Sequence, residues 1–148
     1  MSSMKHPKSY DTNSATRKRM SNVHLKRGKT ENKLALALWH QGIRYRRNYK
    51  ALPGSPDIAI TKYKIAIFID GEFWHGQDWD NRKKRLKRNR DYWIKKIEEN
   101  MARDKRDDAL LQEVGWLPLH FWDKTVLKNL DYCVELIQYQ IRYRKEEE

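Results

Sequence analysis

Asp57 and Asp70 bracket two short apolar runs, Ile58 to Ile60 and Ile65 to Ile69, separated by the polar Thr61-Lys62-Tyr63-Lys64. Two largely buried strands joined as a β-hairpin are written this way. Asp57 precedes the first strand and Asp70 ends the second, so antiparallel pairing would carry both carboxylates to one end of the sheet. Paired carboxylates are hard oxygen donors, and they outline a site for a divalent metal. Aspartate at strand ends also serves turn chemistry alone, which is the competing reading. The residues that follow shift the balance: Gly71-Glu72-Phe73-Trp74-His75 places two large aromatics and an imidazole on a loop just past the second acid. Such loops are where catalysis and binding concentrate.

The elements that must hold these residues can be traced along the chain. Residues 1–14 are polar and aperiodic and are expected to be disordered. Residues 15–29 form a basic arm in which Met20 and Val23 could lie against a partner, with Gly28 expected to end a short helix. Thr30 is expected to cap a second helix whose first turn carries Glu31, with Leu34, Ala35, Leu38 and Trp39 on one face and Gly42 as its stop. Ile43 and Tyr45 alternate with Arg44 and Arg46, the pattern of a half-covered strand over 43–49. Leu52-Pro53-Gly54-Ser55-Pro56 then restrains the approach to Asp57. Beyond the loop, residues 76–90 read as a polar, basic connection. A long helix is predicted from Asp91, with Trp93, Ile94, Ile97, Met101, Leu111 and Val114 in a stripe interrupted by Asp104 and Asp108. Gly115 ends it. A strand over Trp116 to Trp122 follows, in which Pro118 implies an edge position or an irregularity. Leu130, Val134, Ile137 and Ile141 trace a closing helix. The order predicts an α/β fold, a mixed sheet flanked by helices, in one domain spanning 15–145.

Charge points to the partner. The chain has 148 residues, and 32 Lys and Arg against 20 Asp and Glu give a net charge of +12. Residues 1–33 hold nine positives and two acids, and residues 82–90, which include Arg85 and Arg88, hold seven positives and no acid. Charge of this sign and layout attracts polyanions, nucleic acid first and an anionic membrane surface second. No apolar run is long enough to span a membrane and no signal peptide is evident, so a cytoplasmic, nucleoid-associated protein is expected. The single cysteine, Cys133, excludes an internal disulfide and reads as a small buried side chain.

Several motifs together resemble the very short patch repair (Vsr-type) endonucleases, mismatch nucleases built on the restriction-endonuclease-like core. They are Met20 eleven residues before Glu31, Leu-Pro-Gly-Ser-Pro-Asp at 52–57, Phe-Ile-Asp-Gly-Glu-Phe-Trp-His-Gly at 68–76, Trp-Ile-Lys-Lys-Ile-Glu-Glu-Asn-Met-Ala-Arg-Asp at 93–104, and Gly-Trp at 115–116 with Phe-Trp-Asp at 121–123. The resemblance implies Asp57 as a metal-binding acid and Ile69 as a position whose main-chain carbonyl binds metal. It implies Asp70 near the reacting phosphate, His75 as the residue that activates water, and Glu31 as a holder of metal-bound waters. Mg²⁺ is the implied cofactor. Phe73 and Trp74 correspond to aromatics wedged into the base stack beside the mismatch, and Met20 to a residue inserted from the opposite side; the alternative is that both aromatics are core. Lys96 and Asn100, four apart on a helix, correspond to residues that touch bases, against the alternative of a solvated face.

One departure stands out. Family members carry a structural zinc on Cys and His ligands, and the corresponding positions here are Glu72, Gln77, Trp79 and Lys124, so no zinc is expected. The implied substrate is double-stranded DNA with a T:G mismatch, nicked by a monomer, with other mismatch-repair proteins as candidate partners. Two other readings stay open: a restriction or mobile-element nuclease of different specificity, and a DNA-binding accessory protein with altered catalysis.

Overall fold

The hairpin forms as its apolar runs require. In the computed structural model, which describes residues 28–72 and 75–147, β2 (Ile58–Ile60) and β3 (Ile65–Asp70) pair antiparallel with Ile58 opposite Ile67 and Ile60 opposite Ile65. All nine residues of the two strands are buried. β1 (Arg46–Arg47) adds antiparallel to β2, and β4 (Leu117–Trp122) adds parallel to β3, giving a mixed four-stranded sheet in the order β1-β2-β3-β4. Pro118 lies on β4, at the sheet edge, where its missing N–H costs no ladder bond with an inner neighbour.

Helices cover both faces, and the period of two along β3 decides what each face receives. Ile65, Ile67 and Ile69 join Leu34, Ala35 and Leu38 of α1 (28–40), Val126 of α4 (Asp123–Lys128) and Cys133, Val134, Ile137 and Ile141 of α5 (Leu130–Glu147) in the larger core. Ala66 and Phe68 face the other way, against Leu111 of α3 (Arg90–Glu113). Asp70, next in that alternation, is on the α3 side with them.

Several expectations need correction. Gly28 and Thr30 lie inside α1 rather than before it: residues 28–30 are already helical, and Thr30 is buried within the helix rather than capping it. Trp39 leaves the apolar face of α1 and is 48% exposed, with the Arg44 guanidinium 3.5 Å over its ring. The cation shields a ring face that would otherwise meet water. The strand expected over 43–49 shortens to Arg46–Arg47; Asn48 takes a left-handed conformation that interrupts the regular ladder, although Asn48 and Tyr49 still donate to the Asp57 and Pro56 carbonyls. Residues 76–90 contain a helix, α2 (Trp79–Arg85), and α4 was not anticipated. Val114 caps α3 and is exposed. Residues 1–27, with the polar tail, Met20 and all but the last two residues of the basic arm, and the Phe73-Trp74 tip lie outside the described residues.

Candidate active site

The antiparallel register sets Asp57, one step before Ile58, opposite Phe68 and therefore on the α3 face with Asp70. A cavity of about 740 Å³ opens there, lined among others by Asp57, Asp70, His75, Arg103, Asp104 and His120. Asp57 is fixed by its neighbour across the hairpin, its Oδ2 accepting the Ile69 amide N–H at 2.7 Å. The turn-rich approach contributes by close packing. Gly54 has φ of +77°, and a Cβ there would meet the Phe68 ring at 3.0 Å.

His75 is held from two sides. Its backbone N–H donates to the Gly71 carbonyl at 3.1 Å, curling the chain just beyond β3, and its Nδ1 donates to Asp104 Oδ2 at 2.5 Å. The carboxylate demands hydrogen on Nδ1, so in the neutral ring Nε2 carries the lone pair. That Nε2 is buried, has no hydrogen-bond partner among the described residues, and sits 3.9 Å from Asp70 Oδ1. A buried polar atom without a partner costs stability and calls for a functional account. A base nitrogen oriented by a carboxylate, beside two further acids, can accept a proton from a hydroxyl or water.

His120 enters from β4, opposite Phe68 in register. Its Nδ1 donates to Asp70 Oδ2 at 2.6 Å and its Nε2 to Asp108 Oδ1 at 2.7 Å. Burial opposes the charged ring, but the bonds and charges of Asp70 and Asp108 overcome it and raise the pKa to about 9. At neutral pH the side chain is an imidazolium. Burial also pushes the Asp107 carboxyl up, against the Arg103 guanidinium.

Asp57, Asp70 and His75 therefore meet at one cavity, whereas Glu31 does not line it. Glu31 faces β1, with its Oε2 3.7 Å from Arg47 Nη2. Lys96 is half-buried, and Asn100 is 1% exposed with its Oδ1 accepting from Arg103 at 2.7 Å. Arg85 and Arg88 are exposed on and just after α2. Sequence reasoning does not place Asp104, Asp108 and His120 at the cavity. The signal for the two acids is the break in the apolar stripe of the long helix, where acids four apart displace core residues on one face; His120, on β4, carries no such signal.

At the positions where the resembled family carries zinc ligands, the residues do not fit that metal. Glu72 Oε1 instead accepts the Lys124 amide N–H at 2.8 Å, tying the exit of β3 to the first turn of α4. Trp79 Nε1 donates to Glu98 Oε2 at 3.0 Å, tying α2 to α3.

The comparisons with known proteins agree with this geometry. A family profile described as DNA mismatch endonuclease Vsr matches residues 8–81, half of the chain. Over 114 residues, 77% of each chain, the protein is 46% identical to the type II nicking enzyme V.NmeDIP of Neisseria meningitidis serogroup C. It is 55% identical to V.HpaIIP of Haemophilus parainfluenzae over 101 residues, 68% of this chain and 72% of the other. To DNA mismatch endonuclease Vsr of Escherichia coli K12 it is 39% identical over 93 residues, 63% of this chain and 59% of the other. Similarity of this extent, on a mixed sheet whose acids converge at one cavity, means that the chain belongs to the Vsr family and is a DNA endonuclease.

Proposed function

We propose that the protein is a Mg²⁺-dependent endonuclease that nicks one strand of duplex DNA beside a T:G mismatch. The observation that carries this reading is the His75 ring, oriented by Asp104, with a buried Nε2 beside Asp70 that has no hydrogen-bond partner among the described residues. His75 takes the proton of the attacking water at Nε2. Asp104 holds the tautomer and stabilises the imidazolium that forms.

Among the described residues no three His, Cys, Asp or Glu side chains form a metal cage. Mg²⁺ does not need one, because it keeps several waters and takes one or two carboxylates with substrate phosphate oxygens. The donors present fit it: Asp57 lines the cavity and is bonded to the main chain of Ile69, so the acid and the Ile69 carbonyl are hard oxygens on neighbouring strands. When bound, the ion lowers the pKa of water and offsets charge on the phosphodiester oxygens. Lys50 and Arg103 line the same cavity as cations for the phosphate. Glu31, the acid that the family resemblance assigns to metal-bound waters, is paired at 3.7 Å with Arg47, the neighbour of the cavity-lining Asn48.

Selectivity is assigned to Phe73, Trp74 and Met20 as wedges. Unstacking a base step costs a few kcal/mol, and least where pairing is already imperfect. Lys96 is the candidate for base contacts, Asn100 being buried and bonded to Arg103, and Arg85 and Arg88 are the candidates for phosphate contacts. Relatives named as type II nicking enzymes support single-strand cleavage.

The test uses labelled duplexes that differ only in one T:G or T:A pair, incubated with protein and Mg²⁺. Nicking of the T:G duplex alone is expected, with loss of activity but retention of DNA affinity in Asp57→Ala. Replacing Phe73 and Trp74 by Ala should erase the T:G preference in a protein that still melts cooperatively. Equal cleavage of both wild-type reactions overturns the specificity, and full activity of Asp57→Ala overturns the site.

A further inference from the structure

His120 has no part in the chemistry above, yet it is held at the cavity from three sides. Its ring stacks on Phe68, with centroids 4.8 Å apart and planes 10° from parallel. Both in-plane nitrogens are spent on acids, Asp70 at 2.6 Å and both oxygens of Asp108 at 2.7 and 2.8 Å. The other oxygen of Asp70 is the one 3.9 Å from His75 Nε2, and the far nitrogen of His75 is on Asp104. Acid and imidazole thus alternate through Asp108, His120, Asp70, His75 and Asp104. The series starts and finishes on α3, at residues one helical turn apart.

The cavity holds five carboxylates, those of Asp57, Asp70, Asp104, Asp107 and Asp108, against the cations Lys50 and Arg103. A phosphodiester approaching His75 would meet Asp70 as an uncompensated negative charge. We propose that His120 is a positioning residue of the hydrolytic centre: it holds the Asp70 carboxylate beside His75 and offsets its charge where the phosphodiester must approach. The inference rests on the hydrolytic reading of the same site. His120 does not itself touch substrate, since neither of its N–H groups is left to donate. Its raised pKa, about 9, keeps it cationic at neutral pH.

The test compares single-turnover nicking rates and DNA affinity in EDTA for wild type, His120→Ala, His120→Asn, Asp70→Asn, the double variant Asp70→Asn with His120→Ala, and Asp57→Ala. Removing a partner that orients an active-site group costs about 10–100-fold. His120→Ala should therefore lower the rate by that factor with DNA affinity within about twofold of wild type. His120→Asn, whose amide can still donate to Asp70, should recover part of the loss. In the Asp70→Asn background, His120→Ala should have no further effect, because no acid remains to be held. A rate for His120→Ala equal to wild type overturns the proposal, as does an equal loss in both backgrounds. If His120→Ala melts before assay temperature, His120→Asn and its combination with Asp70→Asn complete the same cycle. An inactive Asp57→Ala beside a fully active His120→Ala would remove this inference alone, whereas an active Asp57→Ala would remove the hydrolytic reading itself.

Discussion

Asp104 and His75 are 29 residues apart in the chain and 2.5 Å apart in the fold, and the chemistry of the site depends on that contact. Asp104→Asn can offer the ring an amide N–H, which would leave the lone pair on Nδ1 and put hydrogen on Nε2. The base would then be in the wrong tautomer. Nicking should fall by about 10²–10⁴-fold with DNA affinity retained; a folded variant that nicks at the wild-type rate would show that His75 is not the base. His120 makes a prediction about stability. Its pKa rises from 6.5 to about 9 on folding, so the folded chain holds that proton more tightly than the unfolded one. The contribution is complete below about pH 6.5 and is lost as pH rises through about 9. Its ceiling is about 3 kcal/mol by the usual conversion, reduced by solvent screening because the side chain is 30% exposed. The melting temperature should fall between pH 7 and pH 10, and the fall should be shallower in His120→Asn.

At the scale of elements, α3 both covers a sheet face and arms the site. Trp93, Ile97, Asn100 and Leu111 are its buried positions, while Asp104 and Asp108 reach the two histidines. The His75 loop must therefore run close against this helix. Gly76 has φ of +73°, and a Cβ there would lie 2.3 Å from Met101 Sδ. Met101 can swing aside, but the left-handed backbone penalises any side chain by about 1 kcal/mol. Gly76→Ala should lower the melting temperature modestly and nicking more strongly, since the strain is relieved by moving His75 away from Asp104. An unchanged rate in that variant would mean that the loop tolerates displacement.

Over the whole molecule, a chain of net charge +12 carries a cavity lined by five aspartates, so the proposed function divides the work, basic surface for DNA and acids for metal. The exposed Lys84, Arg85, Lys87 and Arg88 belong to the run on and after α2. If each neutralises one phosphate, changing all four to Ser should reduce the slope of log K against log salt by about 0.9 per contact. Cleavage at saturating DNA should survive. A slope that does not change would place the DNA on another face.

The hairpin was legible because its two strands are buried on both sides and so read as unbroken apolar runs, with the acids marking their ends. The convergence of Asp57 and Asp70 followed from that register, and the motif spacing carried the family and with it the assignment of His75. The partners of the histidines were not legible. Asp104 and Asp108 look like interruptions in a helix stripe, and His120 looks like any polar residue on an edge strand, until the parallel pairing of β3 with β4 and the packing of α3 bring them together. Helix boundaries failed where tertiary contacts outweighed local preference: Gly28 is carried into a helix despite its entropy cost, and Trp39 stays outside the core because Arg44 covers it. Glu31 shows the limit in the other direction. A motif can align it with an active-site acid, but only the packing of α1 brings it to Arg47, beside the cavity-lining Asn48. Local sequence encodes which face each side chain takes, through periods of two and 3.6, whereas long-range packing alone determines which faces meet.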